Sequence, residues 1–218
     1  MNYSSDSPIT LPEQSRSKIP ATRPYRKTAR VRSERATGEA ILDAALKAFA
    51  SEPFDRVTLS SVAEVSGVTV QTVLRRFGSK EQLFETLVER ERPRILAARD
   101  LPGTADLHAA LEALVRHYEV DGDLVLNLVA QEQLFAPIRR VVDGGRQVHR
   151  EWVERHCGVL FGSCQETERE MVLHAAIAAT DLSTWKLLRR DLGLGEAEVV
   201  AIMTALLNGL KQATEGGS

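Results

Sequence analysis

Apolar positions recur at intervals of three and four along most of the chain, which predicts an all-α protein. In the segment beginning near Ser33, residues Ile41, Leu42, Ala45, Leu46, Ala48 and Phe49 form one apolar face, and this helix is expected to end near Ser51, before Pro53. Thr58 is a suitable N-cap for a second helix over about residues 59–65, with Val57 and Val62 placed to clasp across the cap as a hydrophobic staple. Ser79-Lys80-Glu81-Gln82 reads as a capping box in which Ser79 caps and Gln82 reaches back, and Leu83, Phe84, Leu87 and Val88 carry a fourth helix on to about Arg99. From about residue 105 to 212 helical patterns alternate with turn signals at Asp121-Gly122-Asp123, Ala136-Pro137, Gly162-Ser163 and Gly193-Leu194-Gly195. Five more helices are expected there, making about nine in all. Gly144-Gly145 either interrupts the helix that starts near Pro137 or is packed well enough to offset a cost of about 1 kcal/mol per glycine.

One stretch breaks the pattern. From Val68 to Val73 the residues are mostly β-branched and nearly alternate, as in a half-buried strand. A lone strand would leave its backbone groups without a partner in an otherwise helical protein, so a helix is the better prediction. Thr69 as N-cap makes Val68 and Val73 a second staple, and the β-branched residues cost only some tenths of a kcal/mol each. A helix over about 59–65, a turn at Ser66-Gly67-Val68 and a helix over about 70–77 then form a helix-turn-helix. Gly67 supplies the positive φ of the turn, and Ala63 is small where the helices approach.

The residues of this region also carry a resemblance. Ile41-Leu42-x-x-Ala45-x-x-x-Phe49, Thr58-x-x-x-Val62-Ala63 and Gly67-Val68-Thr69-x-x-Thr72-x-x-x-x-Phe77-x-Ser79-Lys80-Glu81-x-Leu83 are similar to the N-terminal signature of TetR-type transcriptional repressors. The resemblance covers roughly residues 37 to 87. Leu74 stands where that family usually has a tyrosine, and Arg76 where a histidine is common, so one phosphate contact through a phenol is missing. In a helix-turn-helix the second helix enters the major groove. There Gln71 can bond adenine, Arg75 can bond guanine bidentately, and Val70 can pack on a thymine methyl. Thr58, Thr69 and Thr72 suit phosphate contacts, Lys80 resembles a family lysine that meets the DNA backbone, and Leu74, Arg75 and Arg76 complete the candidate surface.

Charge adds one local feature. The 218 residues are 43% hydrophobic and 27% charged with a net charge of -2, so no global excess announces a nucleic acid. Residues 1–32, however, are poor in apolar side chains and rich in Arg and Lys, and are expected to be a disordered basic arm. Such an arm either follows a minor groove or the phosphates, or is only solubilising. The expected organisation is this arm, a DNA-binding domain over 33–87 linked by the fourth helix to about 99, a second domain over 100–212, and a disordered tail over 213–218.

The last two helical patterns, about Glu166 to Arg189 and Glu196 to Lys211, carry apolar stripes with small residues: Ala175, Ala176, Ala178, Ala179 and Leu182, then Val199, Ile202, Leu206 and Leu210. The resemblance implies that they pair with a second copy in a four-helix bundle. Alternatively they close the monomer core. The resemblance also implies a small-molecule effector within the second domain, whose binding releases DNA. Candidate lining residues are His117, Tyr118, Gln131, Phe135, His149, Trp152, His156 and Trp185, each of which can equally be ordinary packing. His149 and His156 share a face but stand about 10 Å apart along the helix axis, too far to chelate one metal. No metal or other cofactor is expected. No phosphate loop, GxSxG, HExxH or dinucleotide-binding turn is present, so an enzyme is the lesser alternative, together with a helical adaptor for another protein. No apolar run reaches the length of a membrane span and no secretory pattern is seen, so the expected compartment is the cytoplasm, with Cys157 and Cys164 as reduced thiols.

Overall fold

The computed structural model describes residues 23–99, 106–162 and 166–216. Among them are nine α-helices and no strand: α1 (Arg23–Ser51), α2 (Leu59–Ser66), α3 (Val70–Phe77), α4 (Lys80–Arg99), α5 (Leu107–Gln131), α6 (Ala136–His156), α7 (Glu166–Thr180), α8 (Leu182–Lys186) and α9 (Glu196–Gly216). A 3-10 turn, Gly158–Phe161, follows α6, and a π-helical stretch, Leu187–Asp191, continues α8. Residues 38–218 form one compact unit, and residues 1–37 a separate one. No described helix is long and apolar enough to cross a membrane.

The expected disordered arm over 1–32 is corrected in its last ten positions, because α1 already begins at Arg23. Adding turns to an existing helix avoids the nucleation cost, and an Arg30–Glu34 ion pair at 2.9 Å supports the added turns. Residues 1–22 of that arm lie outside the described residues. The tail expected from residue 213 is likewise shortened, since α9 runs to Gly216.

The strand-like stretch is helical. Thr69 is extended at φ -83° and accepts a hydrogen bond from the Thr72 N–H, while Val73 is fully buried beneath it. Gly67 is left-handed at φ 70°, and the N–H groups of Gly67 and Val68 close onto the last carbonyls of α2 at Glu64 and Ala63. Thr58 and Ser61 form a reciprocal capping box at α2. The box expected at α4 is only half made. Ser79 accepts from the Gln82 N–H at 3.2 Å, but the Ser79 N–H donates to the Phe77 carbonyl, because the turn at Gly78 folds it back.

Two glycine expectations also change. Asp121-Gly122-Asp123 is no turn: it lies in the middle of α5, where Gly122 lets the Trp185 ring approach so closely that a Cβ would stand 2.6 Å from it. Gly144 and Gly145 do not interrupt α6, yet nothing packs on them. The helix therefore bears their cost. Gly144→Ala and Gly145→Ala are each expected to raise unfolding stability by up to about 1 kcal/mol. Gly122→Ala is expected to lower it by about 1–3 kcal/mol through overpacking, less its propensity gain. Urea denaturation of the three variants checks both signs.

Two apolar cores organise the compact unit. The first joins Ile41, Phe49, Val62, Val73, Leu83 and Phe84 of the N-terminal helices and Phe54 of the turn between α1 and α2 with Leu128, Ile138 and Val142 of α5 and α6. Its centre is aromatic, with Phe49, Phe54 and Phe84 at centroid distances of 5.0 to 5.5 Å. The second core lies among α5 to α9 and includes Leu111, Leu114, Trp152, Trp185, Val199 and Met203. The helix expected over Glu166 to Arg189 is broken at Asp181, which caps α8 in an extended conformation. There the Asp181 carboxylate accepts from the Ser183 N–H at 2.8 Å and starts a new helix.

Candidate nucleic-acid interface

A short helix reads DNA only if one face is anchored and the other is free. In α3 the anchored face is Val73, fully buried, with Phe77 half-buried one turn on. The opposite face, Gln71, Leu74 and Arg75 at spacings of three and four, is exposed, with Leu74 39% accessible. The remaining candidates lie closer to the protein. Val70 is half-buried and packs on the N-terminal core. Thr69 and Thr72 hydroxyls bond each other at 2.9 Å, so one hydroxyl proton of the pair is left for an outside acceptor. Thr58 is exposed at the start of α2.

Arg76 is exposed but its guanidinium lies against α1 at Gly38, where a Cβ would meet it at 2.5 Å. Only a glycine admits that approach. Lys80 is more constrained than its place in the motif suggests. Its ammonium donates to the Phe54 carbonyl at 2.8 Å and the Asp55 carbonyl at 3.4 Å, and sits 4.6 Å above the Phe54 ring. Three N–H groups are available on an ammonium, so one is left to meet a phosphate.

The α4 helix connects this module to the rest through arginines that the sequence reading passed over. Arg90 pairs with Asp43 of α1 at 2.7 Å. Arg94 holds Asp121 of α5 bidentately at 2.7 and 3.2 Å, and the hydrogen bond raises the Arg94 guanidinium further above its usual range. Burial alone would raise the Asp121 carboxyl, but hydrogen bonds from His117 and Arg94 outweigh it and bring it down to about 2. Arg99, 7% exposed, bonds His149 of α6 at 2.9 Å. The signal in the sequence was a repeat of arginine on one helix, which reads as a solvated face until the neighbouring helices are known.

The candidate effector residues divide into two places. Gln131 and Phe135 do not join the others: Gln131 accepts from the buried Phe54 N–H at 2.8 Å, and Phe135 packs on Phe54 at 5.1 Å. They tie α5 and the start of α6 to the N-terminal core. His117, Tyr118, His149, Trp152, His156 and Trp185 lie among the helices of the second core. Tyr118 packs on His117 and Trp185, its hydroxyl donates to the Thr180 carbonyl at 3.1 Å, and its acidity is suppressed by burial. Trp185 is fully buried and donates to Glu119 at 2.9 Å. Trp152 stacks on His149 at 6.0 Å and meets His156 at a tilt at 5.0 Å. A groove of about 260 Å³ opens between α5 and α9, lined by His108, Glu112, Arg116 and Val200 and by none of these eight. Of the two cysteines, Cys157 is buried with its thiol pushed up to about 12 by desolvation, and Cys164 lies outside the described residues.

His149 has a pH consequence. Burial, and secondarily the Arg99 charge, lowers its pKa from 6.5 to about 4, so the folded protein keeps it neutral. The stability this gives is present above pH 6.5 and is lost as pH falls to 4, by about 3 kcal/mol in all. The Asp121 contribution is lost only at lower pH, between its ordinary 3.8 and about 2. Urea titrations at pH 7, 5 and 4 are expected to show the first loss, and His149→Gln to flatten it.

Comparison with known proteins agrees with this geometry. Residues 41–87 match the model of bacterial regulatory proteins, tetR family. No curated protein sequence matches the chain. Among solved structures, a tetR-family transcriptional regulator from Streptomyces coelicolor superposes with a TM-score of 0.64 at 19% identity, over 82% of this chain and 83% of that one. A transcriptional regulator from Rhodococcus sp. Rha1 gives 0.62 at 15% identity over 81% and 96%, and GusR of Salmonella enterica gives 0.60 at 18% over 83% and 96%. Residues 41–87 thus match the tetR family of bacterial regulatory proteins, within a fold that solved transcriptional regulators share over about four-fifths of this chain.

Proposed function

We propose that the protein is a ligand-responsive transcriptional repressor that binds a palindromic operator as a homodimer and leaves it when a small molecule binds among the C-terminal helices. The observation that carries the reading is the exposed face of α3, Gln71, Leu74 and Arg75, held outward by the buried Val73 and by two capped helix starts. Gln71 and Arg75 read base edges, and Thr58, Thr69, Thr72, Arg76 and the last N–H of Lys80 grip phosphates.

Symmetry supports the dimer. Of the small and apolar residues on the last helices, Ala176, Ala179, Leu182 and Val199 are spent in the monomer core. Met171 (67% accessible), Leu206 (46%) and Ala178 stay exposed on α7 and α9, with Ile202 half-buried between them. A second copy covering this face would set two α3 helices at a fixed spacing. Selection of bound duplexes from a random library by the full chain tests the whole reading. Enrichment of a palindrome with half-sites one or more helical turns apart is expected, and recovery of no common sequence sinks it.

A further inference from the structure

The second core contains a cation that no described side chain neutralises. Arg99, the last residue of α4, is 7% exposed, and its Nε has no hydrogen-bond partner. Among the described residues no carboxylate pairs with it. Among the described residues its one polar contact is His149 Nδ1 at 2.9 Å. That histidine is itself fully committed: with Nδ1 accepting from Arg99, Nε2 donates to the Thr180 hydroxyl at 3.1 Å, and Thr180 passes its proton to the Ala176 carbonyl. The ring is therefore neutral and offers a dipole, not a counter-charge.

A guanidinium cannot shed its charge, and a buried one without an anion is among the costliest groups a core can hold. A second donor in the same cluster is also unmatched. Trp152, 3% exposed and stacked parallel to His149, has an indole N–H with no acceptor. Arg99 Nε and Trp152 Nε1, two buried donors without an acceptor among the described residues, border one histidine.

We propose that Arg99 and the indole N–H of Trp152 form the head-group site for a singly charged organic carboxylate, the effector of the regulator. As an effector site it rests on the regulator reading above. The edge of a guanidinium presents two parallel N–H groups that match a carboxylate. One buried cation balances one negative charge, whereas a phosphate dianion would leave net charge in the core. The body of the acid is apolar, because Tyr118, Val153, Ala176 and the Trp152 ring belong to the second apolar core. The site also sits where it can act on DNA binding. The α4 helix is 20 residues long, and its other end, Lys80, adjoins α3. An anion drawn to Arg99 competes with the His149 contact and so repositions the end of the helix that the DNA module is built on.

The test uses the full chain and two acids, octanoate and benzoate, with octanamide as the neutral counterpart of the first and inorganic phosphate as the competing anion. The two tryptophans give two indole N–H signals in nitrogen-15 correlation spectra, assigned with Trp152→Phe. At least one acid is expected to shift the Trp152 signal saturably, with octanamide and phosphate inert at the same concentration. Arg99→Met is expected to weaken that response by about 30-fold or more, and to have a thermal midpoint no lower than the parent, since a buried unpaired cation is gone. If Arg99→Met does not fold, Trp152→Phe carries the test, with a several-fold weaker acid-induced rise in thermal midpoint. An equal response to octanamide or phosphate, an acid response that survives in Arg99→Met, or no response to either acid overturns the site. Duplex selection is scored separately: a selected palindrome without an acid response refutes the carboxylate site alone, and an Arg99-dependent acid response without any selected duplex refutes the regulator and upholds the site.

Discussion

Arg75→Ala is expected to weaken binding to the selected operator by about 2–6 kcal/mol per dimer, taking about 1–3 kcal/mol for each bidentate base contact in two half-sites. The loss should be confined to one base pair per half-site. At that position the variant should tolerate every base, because the guanidinium is what tells guanine from the rest. Gln71→Ala should act in the same way at a neighbouring pair. Lys80→Ala should differ in kind. Its ammonium caps the Phe54 and Asp55 carbonyls and lies over the Phe54 ring, so the variant loses stability as well as phosphate contact, uniformly across sequences. Titrations of operator variants by fluorescence anisotropy at fixed salt separate the two patterns. Equal losses on all sequences for Arg75→Ala would show that Arg75 touches only phosphate. Leu74→Tyr extends the same comparison: a gain across all sequences means a restored phosphate contact, and a changed preference means that Leu74 reads bases.

Phe54→Ala is expected to cost about 3–5 kcal/mol of unfolding free energy, the range for truncating a buried phenylalanine. Phe54 is 4% exposed and touches Phe49, Phe84 and Phe135 at centroid distances of 5.1 to 5.5 Å. Its backbone is used as well, the N–H donating to Gln131 and the carbonyl accepting from Lys80. Because Gln131 ends α5 and Phe135 immediately precedes α6, the damage should reach both cores in one transition. Gln131→Leu isolates the polar part: it leaves the buried Phe54 N–H unpaired, at a cost of about 1–3 kcal/mol. A double-mutant cycle of Phe54→Ala with Phe135→Ala should give a coupling of about 0.5–1.5 kcal/mol. Urea denaturation followed by circular dichroism measures all three. A loss under 1 kcal/mol for Phe54→Ala would mean that the aromatic centre is not what joins the helices.

The helix-turn-helix was legible in the sequence because its signals are local. Thr58, Thr69 and Ser79 cap the backbone within three residues, Gly67 meets a φ requirement of its own position, and the Val68–Val73 staple spans one helical turn. Those features name helix starts and ends to within a residue or two, and even overrule the strand-like composition of α3. The exposed face of α3 followed from the same helical period once Val73 was placed inside.

Contacts between distant segments left no such mark. Gly122 looked like a turn because its sequence neighbours are aspartates. In the fold it admits the Trp185 ring, 63 residues away in the chain by its numbering, and Asp121 is held by Arg94 from another helix. Gln131 and Phe135 read as pocket residues by type, yet serve as a tether to Phe54. Arg99 entered only as the approximate end of the fourth helix, and the packing of α4 on α6 buries it beside a neutral histidine. Sequence alone determined most of the helices and the exposed face of α3, since caps, turns and helical periodicity act over at most a few residues. Tertiary structure decided which polar groups lose their water, and therefore which of them carry chemistry, because desolvation depends on helices that meet only after the chain has folded.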